Sequence, residues 1–164
     1  FNTLDLLRIM KEKMTKEIIV VKVGVHKFFS TLFYIPSAKK LPAIFITPVL
    51  GSNFLLETFL AKRLARSGFV VFITSFMPPS GTFAEMITNI GIHDEAYEHS
   101  IRGIKELVDM AKSLDFVDET KLILFGMSLG GIFTSLHCCL QKDFKAAVIV
   151  AGGGGNDVIL SKSE

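Results

Sequence analysis

Lys121–Gly131 reads KLILFGMSLGG, and its interpretation decides the fold. Leu122–Phe125 is a short apolar run of the kind a fully buried strand shows, and helix-compatible residues follow Ser128. Between them, Gly126-Met127-Ser128-Leu129-Gly130 is a G-x-S-x-G pentapeptide in the strand–turn–helix setting that a nucleophile elbow requires. A serine in a strained turn at the top of a sheet presents its Oγ to a cleft. Glycines two before and two after it remove Cβ atoms that would collide where the chain packs tightly. The following helix directs its first N–H groups towards charge developing near Ser128. The competing reading is a glycine-rich strand-to-helix turn with an incidental serine. Two other motifs are excluded: position 128 is Ser where a G-x-G-x-x-G fingerprint needs Gly, and no Gly-Lys-Ser/Thr occurs in the chain.

Composition narrows the classes further. At 164 residues the chain has the length of one domain, and with 49% apolar residues, fifteen Phe and no Trp it can bury a substantial core. A formal charge of +2 and the absence of any Lys/Arg block argue against a nucleic-acid partner. The adjacent Cys138 and Cys139 cannot staple distant segments and match no metal spacing. They fit a reduced, cytoplasmic setting, with burial in helix packing as the expected role. Leu41–Ala61 is hydropathic, but Pro42, Pro48, Gly51, Asn53 and Glu57 interrupt it, so it reads as a strand plus a helix and no transmembrane segment is expected.

Taken in order, Leu4–Met14 has the spacing of a short amphipathic helix, so residues 1–17 read as an N-terminal helical extension. Ile18–Val25 and Phe28–Ile35 read as an antiparallel strand pair about a turn at Gly24–Lys27. Ala43–Thr47 is a third strand, buried on both faces. The loop Pro48–Asn53 leads into a helix over Phe54–Ser67, with Ser52 or Asn53 as its cap and Gly68 past its end. Phe69–Phe76 is a fourth apolar strand, stopped by Met77-Pro78-Pro79-Ser80-Gly81; residues 82–93 carry no clear pattern. A long helix from about Asp94 to Leu114 has Tyr97, Ile101, Ile104, Val108 and Ala111 as its buried stripe. The elbow strand, a helix over Leu129–Gln141 and a buried strand over Ala146–Ala151 follow. After the opening hairpin, strands and helices alternate. The expected fold class is therefore α/β, a mostly parallel sheet flanked by helices, with ligands bound beyond the carboxyl ends of the strands.

With these residues in hand, the chain resembles the α/β-hydrolase superfamily over roughly residues 18–160. The resemblance rests on the opening hairpin, the third strand with its loop, and GMSLGG after the fifth strand. It implies that Ser128 is the catalytic nucleophile and attacks an acyl carbonyl. It also implies an oxyanion hole formed by the N–H of Leu129 and that of Val49, with Leu50 as the alternative. Where the superfamily has His-Gly before the second donor, this chain has Thr47-Pro48, and proline has no N–H to give. The superfamily places its acid after the seventh strand (sometimes the sixth) and its histidine after the eighth, whereas this chain is expected to end after the sixth. On that expectation the sequence is one incomplete domain over 1–164. Residues 152–164 would open a lid or cap, and a C-terminal segment would supply the acid and base.

The remaining chemistry-bearing residues have plainer readings. His26, His93, His99 and His137 are expected to be surface or satisfied helix residues, with His93 the nearest to the catalytic edge. Asp157 could be the acid in the minority arrangement, but a solvated turn suits it as well. Asp94, Glu95 and Glu98 sit at a helix start, where the macrodipole favours acids. The resulting expectation is a serine hydrolase that takes a small-molecule acyl substrate, with no metal or organic cofactor and little activity in this chain alone. The alternatives are a non-catalytic hydrolase-like binding domain and an acyltransferase using the same elbow.

Overall fold

The apolar runs pair into one six-stranded sheet in the computed structural model, with strand order β1-β2-β4-β3-β5-β6. The structure describes residues 13–49, 54–75 and 90–152, with side chains from residue 95 onward in the last stretch. The strands are β1 (Thr15–Val23), β2 (His26–Tyr34), β3 (Leu41–Thr47), β4 (Val70–Thr74), β5 (Val117–Met127) and β6 (Phe144–Val150). Among the described residues three helices alternate with them: α1 (Leu55–Arg66), α2 (Ile90–Lys112) and α3 (Leu129–Leu140). β1–β2 and β2–β4 pair antiparallel, whereas β4–β3, β3–β5 and β5–β6 pair parallel. A mixed sheet flanked by helices results, as the alternation of strand and helix patterns predicts.

Strand periodicity sends alternate residues to two helical layers. On one face Phe28, Leu32, Phe45, Phe72, Leu122 and Leu124 pack with Ile104, Leu107 and Val108 of α2. On the other, Phe33, Ile44, Ile46, Val71 and Ile73 pack with Ala61 and Ala65 of α1, whose small side chains let the helix approach the sheet closely. Phe45 and Phe72 stack across β3 and β4 at 4.9 Å between centroids. α3 lies on the α2 side: Tyr97 stacks on Phe133 at 4.2 Å, and Gln141 Nε2 donates to the Ile101 carbonyl. Among the described residues no helix is long and apolar enough to cross a membrane, and Leu41–Ala61 contributes β3 and part of α1.

Several sequence expectations need correction. β1 begins at Thr15, so residues 15–17 belong to the sheet and not to a helical extension; positions 1–12 lie outside the described residues. The N-cap of α1 is Phe54, held at φ 60° with no side-chain cap, so neither Ser52 nor Asn53 occupies that position. Cys138 and Cys139 are exposed, because they fall on the outer side of α3. β6 is not buried: from Lys145 to Val150 every residue is exposed. Its apolar composition predicts a covered strand, but among the described residues nothing covers its outer edge. Asp157 and the remainder of 153–164 lie outside the described residues, as do Leu50–Asn53.

Candidate active site

β3 and β5 are parallel neighbours, so their carboxyl ends deliver Thr47 and Gly126 side by side. At the end of β5 the chain reverses into α3 through Ser128, which is exposed and sits at φ 53°, ψ −122°. This positive φ in a non-glycine residue is fixed from both sides. The Ser128 N–H donates to the Val150 carbonyl at 2.9 Å, and the Ser128 carbonyl accepts N–H groups from Gly131 at 2.8 Å and Ile132 at 3.3 Å. The N–H of Leu129, first in α3, has no backbone acceptor among the described residues, as expected for a helix start.

The motif glycines are required by contact distance. A Cβ at Gly126 would lie 2.1 Å from the Gly130 carbonyl oxygen, and one at Gly130 would lie 2.2 Å from the Thr47 carbonyl oxygen and 2.6 Å from that of Pro48. The 47–48 peptide therefore rests directly on the start of α3. Thr47 reinforces this contact: its hydroxyl donates to the Gly130 carbonyl at 2.8 Å and accepts from Thr134 Oγ1 at 2.9 Å.

The Val49 N–H is engaged within the chain. It donates to Glu57 Oε1 at 3.0 Å. Glu57 is fully buried on α1, on the opposite face of the sheet from α3. Donation by Val49 to an acyl oxygen therefore requires that hydrogen bond to open. The sequence gives little warning of this, since an acid in the first helical turn ordinarily faces solvent. The one available signal is its place three residues after the N-cap, where acids turn back on the chain.

The described histidines stand apart from Ser128. His26 starts β2, three strand spacings from β5, or about 14 Å. His99 packs edge-on against Phe28 and His26, with its pKa lowered by burial and by His26. His137 is nine residues along α3 from Ser128, roughly 13 Å at the helical rise. Its ring is fully buried, neither nitrogen has a hydrogen-bond partner among the described residues, and burial lowers its pKa to about 4. It is therefore not the satisfied helix residue that its position predicts. The side chain of His93 lies outside the described residues. Among the described residues no three His, Cys, Asp or Glu side chains are grouped to hold a metal ion.

This sheet, with a strained strand-to-helix turn at its carboxyl edge, has the α/β-hydrolase fold. More narrowly, the chain belongs to the dienelactone hydrolase family, whose model matches residues 29–163. A search of curated proteins finds no match. Among solved structures the chain is similar to a dienelactone hydrolase-like promiscuous phosphotriesterase, P91, from metagenomic libraries. The two share 19% identity at a TM-score of 0.72, over 85% of this chain and 60% of that one. It is also similar to a hyperthermophilic esterase from the archaeon Pyrobaculum calidifontis, at 19% identity and a TM-score of 0.68, over 92% of this chain and 48% of the esterase. At such identities the likeness is one of fold. The chain spans 60% of the length of P91.

Proposed function

We propose that this chain carries the nucleophile-bearing part of a serine hydrolase that cleaves a carboxylic ester, or a thioester or amide, through an acyl-enzyme on Ser128. The observation that carries this reading is the Ser128 backbone, a non-glycine residue at φ 53° whose side chain is exposed at the carboxyl edge of the sheet. Such a conformation disfavours the fold by about 1–3 kcal/mol, which a turn with no chemical task has no reason to retain. In the reaction Ser128 Oγ bonds to the acyl carbon and loses its proton to a base, while the carbonyl electron pair moves onto oxygen beside the Leu129 N–H. Collapse expels the alcohol, which leaves with a proton, and water then cleaves the acyl-enzyme. Replacement of water by an alcohol or amine would give acyl transfer at the same elbow. The base and its acid lie outside the described residues in this reading, and no cofactor takes part.

A non-catalytic, hydrolase-like binding domain is the second reading, and the separation of His26, His99 and His137 from Ser128 favours it. A fluorophosphonate probe separates the two. Labelling that maps to Ser128, is lost in Ser128→Ala and persists in Ser135→Ala supports the hydrolase; absence of labelling in the full-length gene product supports the binding domain. Where the base is supplied from outside these 164 residues, ester turnover by the chain alone is near background, because a serine without its base loses several orders of magnitude in rate.

A further inference from the structure

A carboxylate with no exposed surface sits against the loop that the hydrolase reading uses. Glu57 is 0% exposed, and its Oε1 accepts the Val49 N–H at 3.0 Å across eight residues of chain. The local cause is legible. Phe54, at φ 60°, gives α1 no side-chain cap, and an acid in the first turn meets the positive end of the helix dipole. Pro48 has no N–H, so Val49 is the first residue beyond β3 with an amide to donate. Thr47 and Pro48 are meanwhile pressed onto Gly130 at the start of the elbow helix. The segment 47–49 is thus clamped to α3 through Thr47 and to α1 through Val49. While Glu57 Oε1 accepts the Val49 N–H, that donor is engaged and is not free for an acyl oxygen.

We propose that Glu57 is a latch on the oxyanion loop: its carboxylate holds the Val49 N–H towards α1 and withholds it from an acyl oxygen on Ser128 until that hydrogen bond opens. This inference rests on the serine-hydrolase reading. Glu57 is a positioning residue, because it acts through Val49 and does not touch the substrate. Glutamine at this position keeps an acceptor oxygen and removes the charge, whereas alanine removes both.

The test uses the full-length gene product with Glu57→Gln and Glu57→Ala, read by amide hydrogen exchange at Val49, by the rate of fluorophosphonate labelling at Ser128, and by the unfolding midpoint. Val49 should be protected in the wild type, less protected in Glu57→Gln, where a neutral amide oxygen is the weaker acceptor, and at least tenfold less protected in Glu57→Ala. Labelling should be about tenfold faster in Glu57→Gln than in the wild type, within the roughly 10²–10³-fold worth of a complete oxyanion donor. A purely structural acid would instead slow labelling in step with lost stability. Free exchange at Val49 in the wild type overturns the proposal, as does unchanged or slower labelling in a Glu57→Gln protein of wild-type stability. If no variant is labelled, the latch fails as a control on catalysis together with the serine reading. A protected Val49 beside an unreactive Ser128 then indicts the serine, and an unprotected Val49 beside a reactive one indicts Glu57.

Discussion

A methyl group added at Gly126 would meet the Gly130 carbonyl oxygen at 2.1 Å and Thr134 Oγ1 at 2.2 Å, and the first of these is backbone that cannot rotate away. Gly24 stands in contrast: it opens the β1–β2 turn at φ 60°, and nothing lies within 4 Å of its Cβ position. Gly126→Ala should therefore destabilise the fold by about 2–3 kcal/mol through overpacking. Gly24→Ala should lose only about 1 kcal/mol, through the left-handed backbone alone. Urea midpoints of the two variants check this ordering. The G-x-S-x-G spacing makes the first effect legible in the sequence, because the motif is a record of close contacts. His137 was not legible, since one histidine in an apolar helix gives no sign of whether its nitrogens find partners. With its folded pKa lowered from 6.5 to about 4, the unfolded chain binds a proton that the native state does not. Stability is then complete above about pH 6.5 and declines as the pH falls towards 4. His99, also lowered, adds a slope of the same sign. His137→Leu removes two unpartnered ring nitrogens, so it should equal or exceed the wild type at pH 7.5 and lead it by a further 1–3 kcal/mol, roughly, at pH 4.5. Chemical denaturation at both values decides it, and an unchanged acid slope would reject the orphaned-ring account.

The seam between α2 and the hairpin shows what periodicity reports about an element and what it omits. The spacing of Tyr97, Ile101, Ile104, Val108 and Ala111 finds the buried side of α2, and Ile104, Val108 and Ala111 are fully buried. The tightest contact on that side, however, is Gly103, where a Cβ would fall 2.2–2.6 Å from ring atoms of Phe28. Glycine carries no hydrophobic signal, so the point of closest approach is invisible to an apolar stripe. An alanine there would gain about 1 kcal/mol in helix propensity and still lose more by displacing a ring held between β2 and His99. Gly103→Ala should therefore have a net loss of about 1–3 kcal/mol. Combined with Phe28→Leu, which retracts the ring, the loss should be less than additive by at least 0.5 kcal/mol, roughly. Strict additivity in a denaturant double-mutant cycle would show that the two residues do not touch. The start of α1 departs from its local sequence preference for a related reason. Ser52 and Asn53 are good cap residues by type, but the cap falls on Phe54, and first-turn Glu57 is directed inward to Val49. Local preference names candidates for a cap, and the tertiary contact selects among them.

At the scale of the molecule, the hairpin and the parallel character of the sheet follow from the order of patterns. The placement of β4 between β2 and β3 does not, because strand neighbours are chosen by long-range pairing that no local window contains. Composition likewise cannot say whether a strand's cover is present. β3 and β4 are apolar and buried, whereas β6 is equally apolar and leaves Val148, Ile149 and Val150 at 42%, 45% and 44% exposure. Ile149 turns towards α3, where its Cγ2 lies 3.2 Å from the Cβ position of Gly131. Alternation then directs Val148 and Val150 to the α1 side, but α1 packs over β4 and β2 at the far end of the sheet. An apolar strand at a sheet edge with one face open is a template for pairing with another chain. The 164-residue chain should therefore associate through β6, with an average mass that rises with concentration in sedimentation or light scattering. Val148→Lys with Val150→Lys should return it towards the monomer, since edge lysines oppose pairing through charge and the desolvation it would require. Because both side chains are already more than two-fifths exposed, the urea midpoint should change by less than about 0.5 kcal/mol. A wild-type chain that stays monomeric throughout the concentration range, or a double variant that associates equally, would show that β6 is not the sticky edge.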